Sequence, residues 1–329
     1  MTPGWLADHL AMLVGAWRAG RMPHALLLHE APGAGGDWLA TWVAQLMLCT
    51  APAQAPPCGN CAGCRRALQG EHPDLLSVRP TDDSQQIRIE QVRELAQQLS
   101  FTSHQGGYKV AVVSPADAMN RFAANALLKT LEEPTARTVL IAVATQPAKL
   151  PATIRSRCQR IRVAAPSRAQ ALSWLTATRG AADWNAVLEI VGEAPMLAAQ
   201  MDPAGAAQVG EEVCAALEGS LGGQLEPVAT SERWVRSELG LRLQCVENWL
   251  TKRIRGHFGA APFLTEVGAV PYSPERGTDL NIRALFGLLD GVRDLKSSLE
   301  TPINRGLALE ELLRRLASRE IHDALTMTG

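Results

Sequence analysis

The sequence predicts an α/β domain on a parallel sheet, then a small helical domain, then a larger all-helical one. Three observations carry this prediction. Short apolar runs bounded by turn residues alternate with helix-period stretches through the first half of the chain. The strand signal fades near residue 166. Beyond that point apolar residues recur only at helical spacing. The expected domains are residues 1–165, 166–206 and 207–329, and no internal repeat is present.

The strand candidates are "ALLLH" (25–29), "DLLSV" (74–78), "KVAVV" (109–113) and "TVLIAVA" (138–144). Between them "IEQVRELAQQLS" (89–100) and "AMNRFAANALLKTLEE" (118–133) read as helices. In the second, Met119, Phe122, Ala126, Leu127, Thr130 and Leu131 fall on one face. Asp117 is its expected cap and Pro134 its stop. Strands alternating with helices call for a parallel sheet covered on both faces.

After residue 166, "SRAQALSWLTAT", "DWNAVLEIVG" and "PMLAAQM" read as short helices, and the glycine-rich 217–227 as a loop within or between helices. Leu239, Leu243, Val246, Leu250 and Ile254 form one stripe; Ile282, Leu285, Phe286, Leu289, Val292 and Leu299 form another. "LALEELLRRLA" (307–317) supplies a third.

Composition excludes some functions. Apolar residues make up 47% of 329 and charged residues 20%, the balance of a soluble globular chain with room for a sizeable core. A net charge of −1 argues against a protein that grips nucleic acid by charge alone, although "IRSRCQRIR" (154–162) could form a locally basic face. No apolar run reaches the roughly 18 residues of a membrane span. "MTPGWLADHL" lacks the regions of a secretory signal. The expected location is cytoplasmic, with no membrane partner.

Four of the seven cysteines cluster in "LCTAPAQAPPCGNCAGC", where Cys49, Cys58, Cys61 and Cys64 follow a C-x8-C-x2-C-x2-C pattern within a 49–64 module. Two intervening residues let a tight turn aim both sulfurs at one ion, and Gly59 and Gly63 ease those turns. Four thiolates close a tetrahedral Zn²⁺ site and leave no position for a substrate water, so the expected role is structural. Free thiols, a redox pair and an iron–sulfur cluster are the alternatives.

"HALLLHEAPGAGGDWLA" (24–40) runs from an apolar segment through a glycine-rich turn into a helix, as a phosphate-binding loop does. The loop, with Gly33, Gly35, Gly36 and Asp37, is degenerate: the lysine position is Gly36 and the hydroxyl position is Asp37. The motif's first glycine is Glu30. Glu30 and Asp37 set negative charge where a phosphate would sit, and their repulsion outweighs the backbone amides. A hydrolytic site would also end the strand "KVAVV" in acids for Mg²⁺ and water; Ser114 and Pro115 stand there instead. The bland alternative is an ordinary turn and an ordinary strand end.

"ANALLKTLEEP" (124–134) and "TVLIAVATQPAKLPATIRSRCQRI" (138–161) decide between these readings. With "HPDLLSVRP", "IRIEQVRELAQQL" and the four-cysteine module, they resemble the clamp-loader branch of the AAA+ superfamily. The likeness runs from residue 1 to about 165, continues through 166–205, and returns in "PINRGLALEELLRRL". It implies an AAA+ domain with an inserted zinc module, a helical lid and a C-terminal collar that oligomerises.

The resemblance also implies roles. Ser156-Arg157-Cys158 matches the motif whose arginine reaches the ATP of a neighbouring subunit, which makes Arg157 an arginine finger in trans. The alternative is that Arg157 pairs with a carboxylate of its own chain, a role also open to Arg155, Arg160 and Arg162. Thr145 falls at the first sensor position, and Met196 near the place of a nucleotide-sensing arginine. Lys129, Glu132 and Glu133 form either a solvated helix face or a contact with DNA or a subunit. The missing nucleotide groups match the family's non-hydrolysing, stator-like member and imply no ATP at this chain's own site. The implied partners are motor subunits (gamma or tau), a delta subunit, and, through the assembly, the sliding clamp and primed DNA. An active ATPase with an atypical loop and a zinc-module nucleic-acid binder are the rival functions.

Overall fold

A computed structural model describes residues 1–51, 57–81, 84–104, 106–221, 224–257, 278–299, 304–318 and 321. Two compact units emerge: Met1–Gly180 with Glu193–Ala199, and Ala181–Gly192 with Gln200–Gly329. No helix among the described residues is long and apolar enough to cross a membrane.

Five strands build the first unit: β1 (Ala25–Glu30), β2 (Leu75–Val78), β3 (Lys109–Val113), β4 (Thr138–Ala144) and β5 (Gln159–Val163). All pairings are parallel, in the order β2-β3-β4-β1-β5. The first four match the apolar runs to within one residue. The fifth escapes the sequence reading because it is an edge strand, in which only Ile161 and Val163 are buried.

The period-2 alternation divides the sheet's side chains between two cores. Leu26, Leu28, Val110, Val112, Ile141 and Val143 face α1 (Ala7–Arg18), α2 (Gly36–Leu48) and α3 (Ala62–Gln69). Leu27, Ala111, Val113, Leu140 and Ala142 face α4 (Ile89–Ser100) and α5 (Arg121–Glu132). Burial on both faces is why these strands read as unbroken apolar runs. Short α6 (Ala152–Arg155) and then α7 (Arg168–Arg179) follow β4 and β5. Trp174 of α7 lies edge-on to Trp5, with ring centroids 5.7 Å apart at 76°.

The helix predicted from residue 118 begins later. A short 3-10 turn (Ala116–Ala118) ends there, and Met119 and Asn120 are drawn out beside Ile87: Ile87 N–H donates to Ala118 O, and Asn120 N–H to Ile87 O. Asn120, not Asp117, then caps α5 by accepting from Ala123 N–H at 2.8 Å. The later start rotates the buried face onto Ala123, Ala124, Leu127 and Leu131, leaving Phe122 68% exposed.

Of the next helices, α8 (Trp184–Val191) belongs to the second unit and α9 (Pro195–Ala198) to the first. The second unit continues with α10 (Pro203–Leu221), α11 (Pro227–Val235), α12 (Leu239–His257), α13 (Thr278–Ser297) and α14 (Arg305–Leu316). The first predicted stripe, from Leu239 to Ile254, is buried throughout. In the second, Leu285, Leu289 and Val292 are buried, but Phe286 is exposed, and Leu288 and Leu295 pack in the core. The side chain of Ile282 lies outside the described ones. The glycine-rich 217–227 is helical through Leu221 and helical again from Pro227, which shortens the predicted loop; residues 222 and 223 lie outside the described ones.

Candidate functional site

Parallel strands put every β-to-α connection on one edge of the sheet, and in open α/β sheets ligands bind beyond that carboxyl edge. Here the edge gathers the glycine loop after β1, Ser114-Pro115 after β3, and Thr145 after β4. The register fixes this, since His29 of β1 lies beside Ala144 of β4.

The loop keeps the form of a phosphate cradle. Gly35 caps α2 in the left-handed region at φ 109°, and Gly36 opens the helix. Their amides do not face solvent. Gly36 N–H donates to Glu30 Oε2, with the Gly35 amide beside it. Burial pushes the Glu30 carboxyl above the usual carboxylate range; the two amides offset this in part, while the charges of Asp37 and Asp117 add to it. With Glu30 so placed, a side chain at position 36 would collide: its Cβ would lie 2.6 Å from Glu30 Oε2 and 2.8 Å from Val143 Cγ1. Asp37 turns outward to Arg79, at 3.2 Å.

Two further segments pack on the loop. Trp5 Nε1–H donates to Ala34 O at 2.8 Å. Met196 N–H donates to Gly33 O at 3.1 Å, so the place where the sensing arginine was expected holds a thioether chain beside the glycines.

Asp117, read from the sequence only as a helix cap, belongs to this edge. Its Oδ2 accepts from the Thr145 hydroxyl at 3.1 Å and from Gln146 N–H at 2.8 Å. Its Oδ1 is buried without a partner among the described residues. The signal was available, because Asp117 lies only four residues beyond the end of β3, where an acid was sought.

Arg157 lies at the other edge. Gln159 of β5 pairs beside Leu26, near the start of β1, and Val163 beside Glu30 at its end. Ser156-Arg157-Cys158 therefore precede the amino edge. At about 3.3 Å per residue, a strand of this length puts the motif roughly 15 Å from the glycine loop. The Arg157 guanidinium pairs with Glu132 at 2.8 Å and donates to Thr153 O at 3.0 Å. Its side chain is 36% exposed and that of Glu132 is 49% exposed. Cys158 is buried in the core under α5 and α6, and burial pushes its thiol up to about 11. Lys129 and Glu133 are exposed.

The cysteine cluster sits at the far end of α2. The four sulfurs of Cys49, Cys58, Cys61 and Cys64 lie within 4.8 Å of one another. The Cys58–Cys64 and Cys49–Cys61 separations are 4.0 and 3.9 Å. A tetrahedron with zinc–sulfur bonds of about 2.3 Å has edges of about 3.8 Å, so the set fits such an ion. Cys61 N–H and Cys64 N–H each donate to the sulfur three residues earlier at 3.3 Å. Burial alone would raise the Cys61 thiol, but the amides of Cys64 and Thr50 and the Thr50 hydroxyl bring it down to about 5. Burial raises Cys64. Gly63 is held against α2 so closely that a Cβ would lie 2.1 Å from Leu48 O.

Buried His72 was not singled out by the sequence reading. Its Nδ1 accepts from Asp74 N–H at 3.0 Å, which leaves its proton on Nε2. Burial lowers its pKa, so the ring is neutral at pH 7, within range of the Cys61 and Arg66 charges.

Known proteins are similar to this sequence. A family model described as "DNA polymerase III, delta subunit" matches residues 6–167. The chain is 32% identical over 318 residues to DNA polymerase III subunit delta' of Escherichia coli (strain K12), covering 95% of this chain and 94% of that protein. It is 36% identical over 230 residues to the delta' subunit of Pseudomonas aeruginosa, covering 69% and 70%. Its likeness to DNA polymerase III subunit tau of Salmonella typhimurium is 35% over 149 residues, covering 45% of this chain and 23% of that one.

Proposed function

The chain belongs to the delta-prime family of DNA polymerase III subunits, and from that premise we propose that it is the non-hydrolysing, stator-like subunit of a clamp loader. It supplies Arg157 in trans to the ATP of a neighbouring gamma or tau subunit. Together with these and a delta subunit, it serves the ATP-dependent loading of the sliding clamp on primed DNA. Residues 1–165 act as the AAA+ domain, 166–206 as a lid and 207–329 as the collar that joins the assembly in the cytoplasm.

What carries the reading is the separation of Arg157 from the loop. A guanidinium reaches about 7 Å from its Cα, so one that starts roughly 15 Å away along the strand does not serve its own chain's loop. It is exposed, and an exposed ion pair such as Arg157–Glu132 holds it by less than about 1 kcal/mol. Release toward a partner's phosphate is therefore inexpensive. A planar guanidinium suits the charge that develops on a transferred phosphoryl group. The loop supports the silent half of the proposal, because position 36 is a glycine crowded by Glu30, where a working loop has the lysine that reaches a β- or γ-phosphate.

Zn²⁺ would be held by Cys49, Cys58, Cys61 and Cys64 in a closed site. It would supply folding energy to the 49–64 module, with no open position for catalysis.

In a reconstituted loader, Arg157→Ala lowers ATP turnover at the site that receives it by about 10³-fold, the low end of what such fingers supply. Arg157→Lys, which keeps the charge but loses the planar fork, restores little. Turnover within twofold of wild type in both variants would reject the finger. Saturable Mg-ATP binding by the isolated chain at micromolar concentration would instead favour an active ATPase.

A further inference from the structure

We infer that Glu30 is the specificity-determining residue that closes the loop to phosphate: its carboxylate fills the amide cradle from within the chain. This rests on the silent-loop reading and gives that reading a cause.

The sequence aims Glu30 there. Along β1, Leu26 and Leu28 point to the face covered by α2, and Glu30, two residues on, continues the same parity at the strand's end. The chain then turns through 31–35 and starts α2 above that side chain. Left-handed Gly35 turns the chain into α2, and the amide of Gly36 that follows it points at the Glu30 carboxyl. That amide and the positive end of the 13-residue helix are what a phosphate would use. The Glu30 carboxyl accepts from the Gly36 amide, the first of the helix. An anion tethered a few residues away competes at an effective concentration that free phosphate in the millimolar range does not match.

Two departures from a working loop thereby become one device. A Cβ at Gly36 would lie 2.6 Å from Oε2 and 2.7 Å from Cδ of Glu30. A lysine at position 36 and a folded-in Glu30 exclude each other. The glycine is what the inserted carboxylate requires, and the lysine is absent for that reason as much as for lack of a ligand.

The test uses the full-length, zinc-loaded chain labelled with ¹⁵N-glycine. The Gly35 and Gly36 amide resonances are followed during titration with inorganic pyrophosphate at constant ionic strength, in wild type, Glu30→Gln and Glu30→Ala. In wild type they stay still up to about 10 mM. In Glu30→Ala they shift saturably, with an apparent Kd at least tenfold lower than any wild-type value, equivalent to about 1.4 kcal/mol. Glu30→Gln falls between, because it keeps the shape and loses the charge; it also carries the test if the alanine variant does not fold. If both variants are as unresponsive as wild type, the inference is overturned while the silent loop stands. If wild type shifts as readily as Glu30→Ala, both readings are overturned.

Discussion

The two ends of α2 solve opposite electrostatic problems by opposite means. At the amino end, α2 presents amides with no partner inside the helix, and the chain answers that of Gly36 with its own Glu30 carboxylate. At the carboxyl end, Cys49 leaves the helix to join Cys58, Cys61 and Cys64, four sulfurs whose ionised forms repel one another. A side chain can satisfy the first end, whereas the chemistry of the second calls for a cation. On the proposed reading, the difference teaches where this domain would depend on its surroundings: on a metal at the carboxyl end of α2, and on no anion at its amino end.

The comparison is tested most severely by metal removal. Stripping zinc with a chelator should abolish amide-exchange protection in α3 and lower Tm by roughly 5 °C or more, since the ion's binding energy is folding energy for the module. Equal protection with and without chelator would break the comparison at its carboxyl end. Gly63→Ala should come next. The added Cβ meets the carbonyl oxygen of Leu48, a backbone atom, and a loss of about 3 kcal/mol with weakened metal retention is expected in chemical denaturation.

The smallest effect sharpens the amino end. The Glu30 pKa is raised in the fold, so its contribution to stability is fully present below the unfolded value and is lost as pH rises through the folded one. The stability of wild type minus that of Glu30→Gln should therefore fall as pH rises above the ordinary value of 4.5, by at most about 1.4 kcal/mol for each unit that the pKa is raised. A difference that grows over this window would mean that the amides outweigh burial.

Most of the sheet was legible because its strands are buried on both faces, so "ALLLH", "KVAVV" and "TVLIAVA" needed no partner to be recognised. β5 was not, because an edge strand that buries only Ile161 and Val163 resembles a basic surface stretch. The start of α5 was misjudged because Asp117 caps well in isolation, while the pairing of 118–120 with Ile87 depends on a residue some thirty positions away. Phe122 went with it. At the candidate site, the cysteine spacing and the loop's missing lysine could be read directly. The insertion of Glu30 could not: the sequence reveals a negative charge near the amides and predicts repulsion, whereas the strand's parity turns that same charge into their acceptor.

The edge-on contact of Trp5 with Trp174 has an optical consequence. Two indoles with centroids 5.7 Å apart and planes inclined at 76° share their excited states and should produce a signed couplet in the ultraviolet circular dichroism. One member donates to Ala34 O inside the glycine loop and the other rides on α7. The couplet thus acts as a built-in gauge of loop posture, readable in the unlabelled chain, and its sign and strength should register any rearrangement of the loop when the subunit is mixed with others.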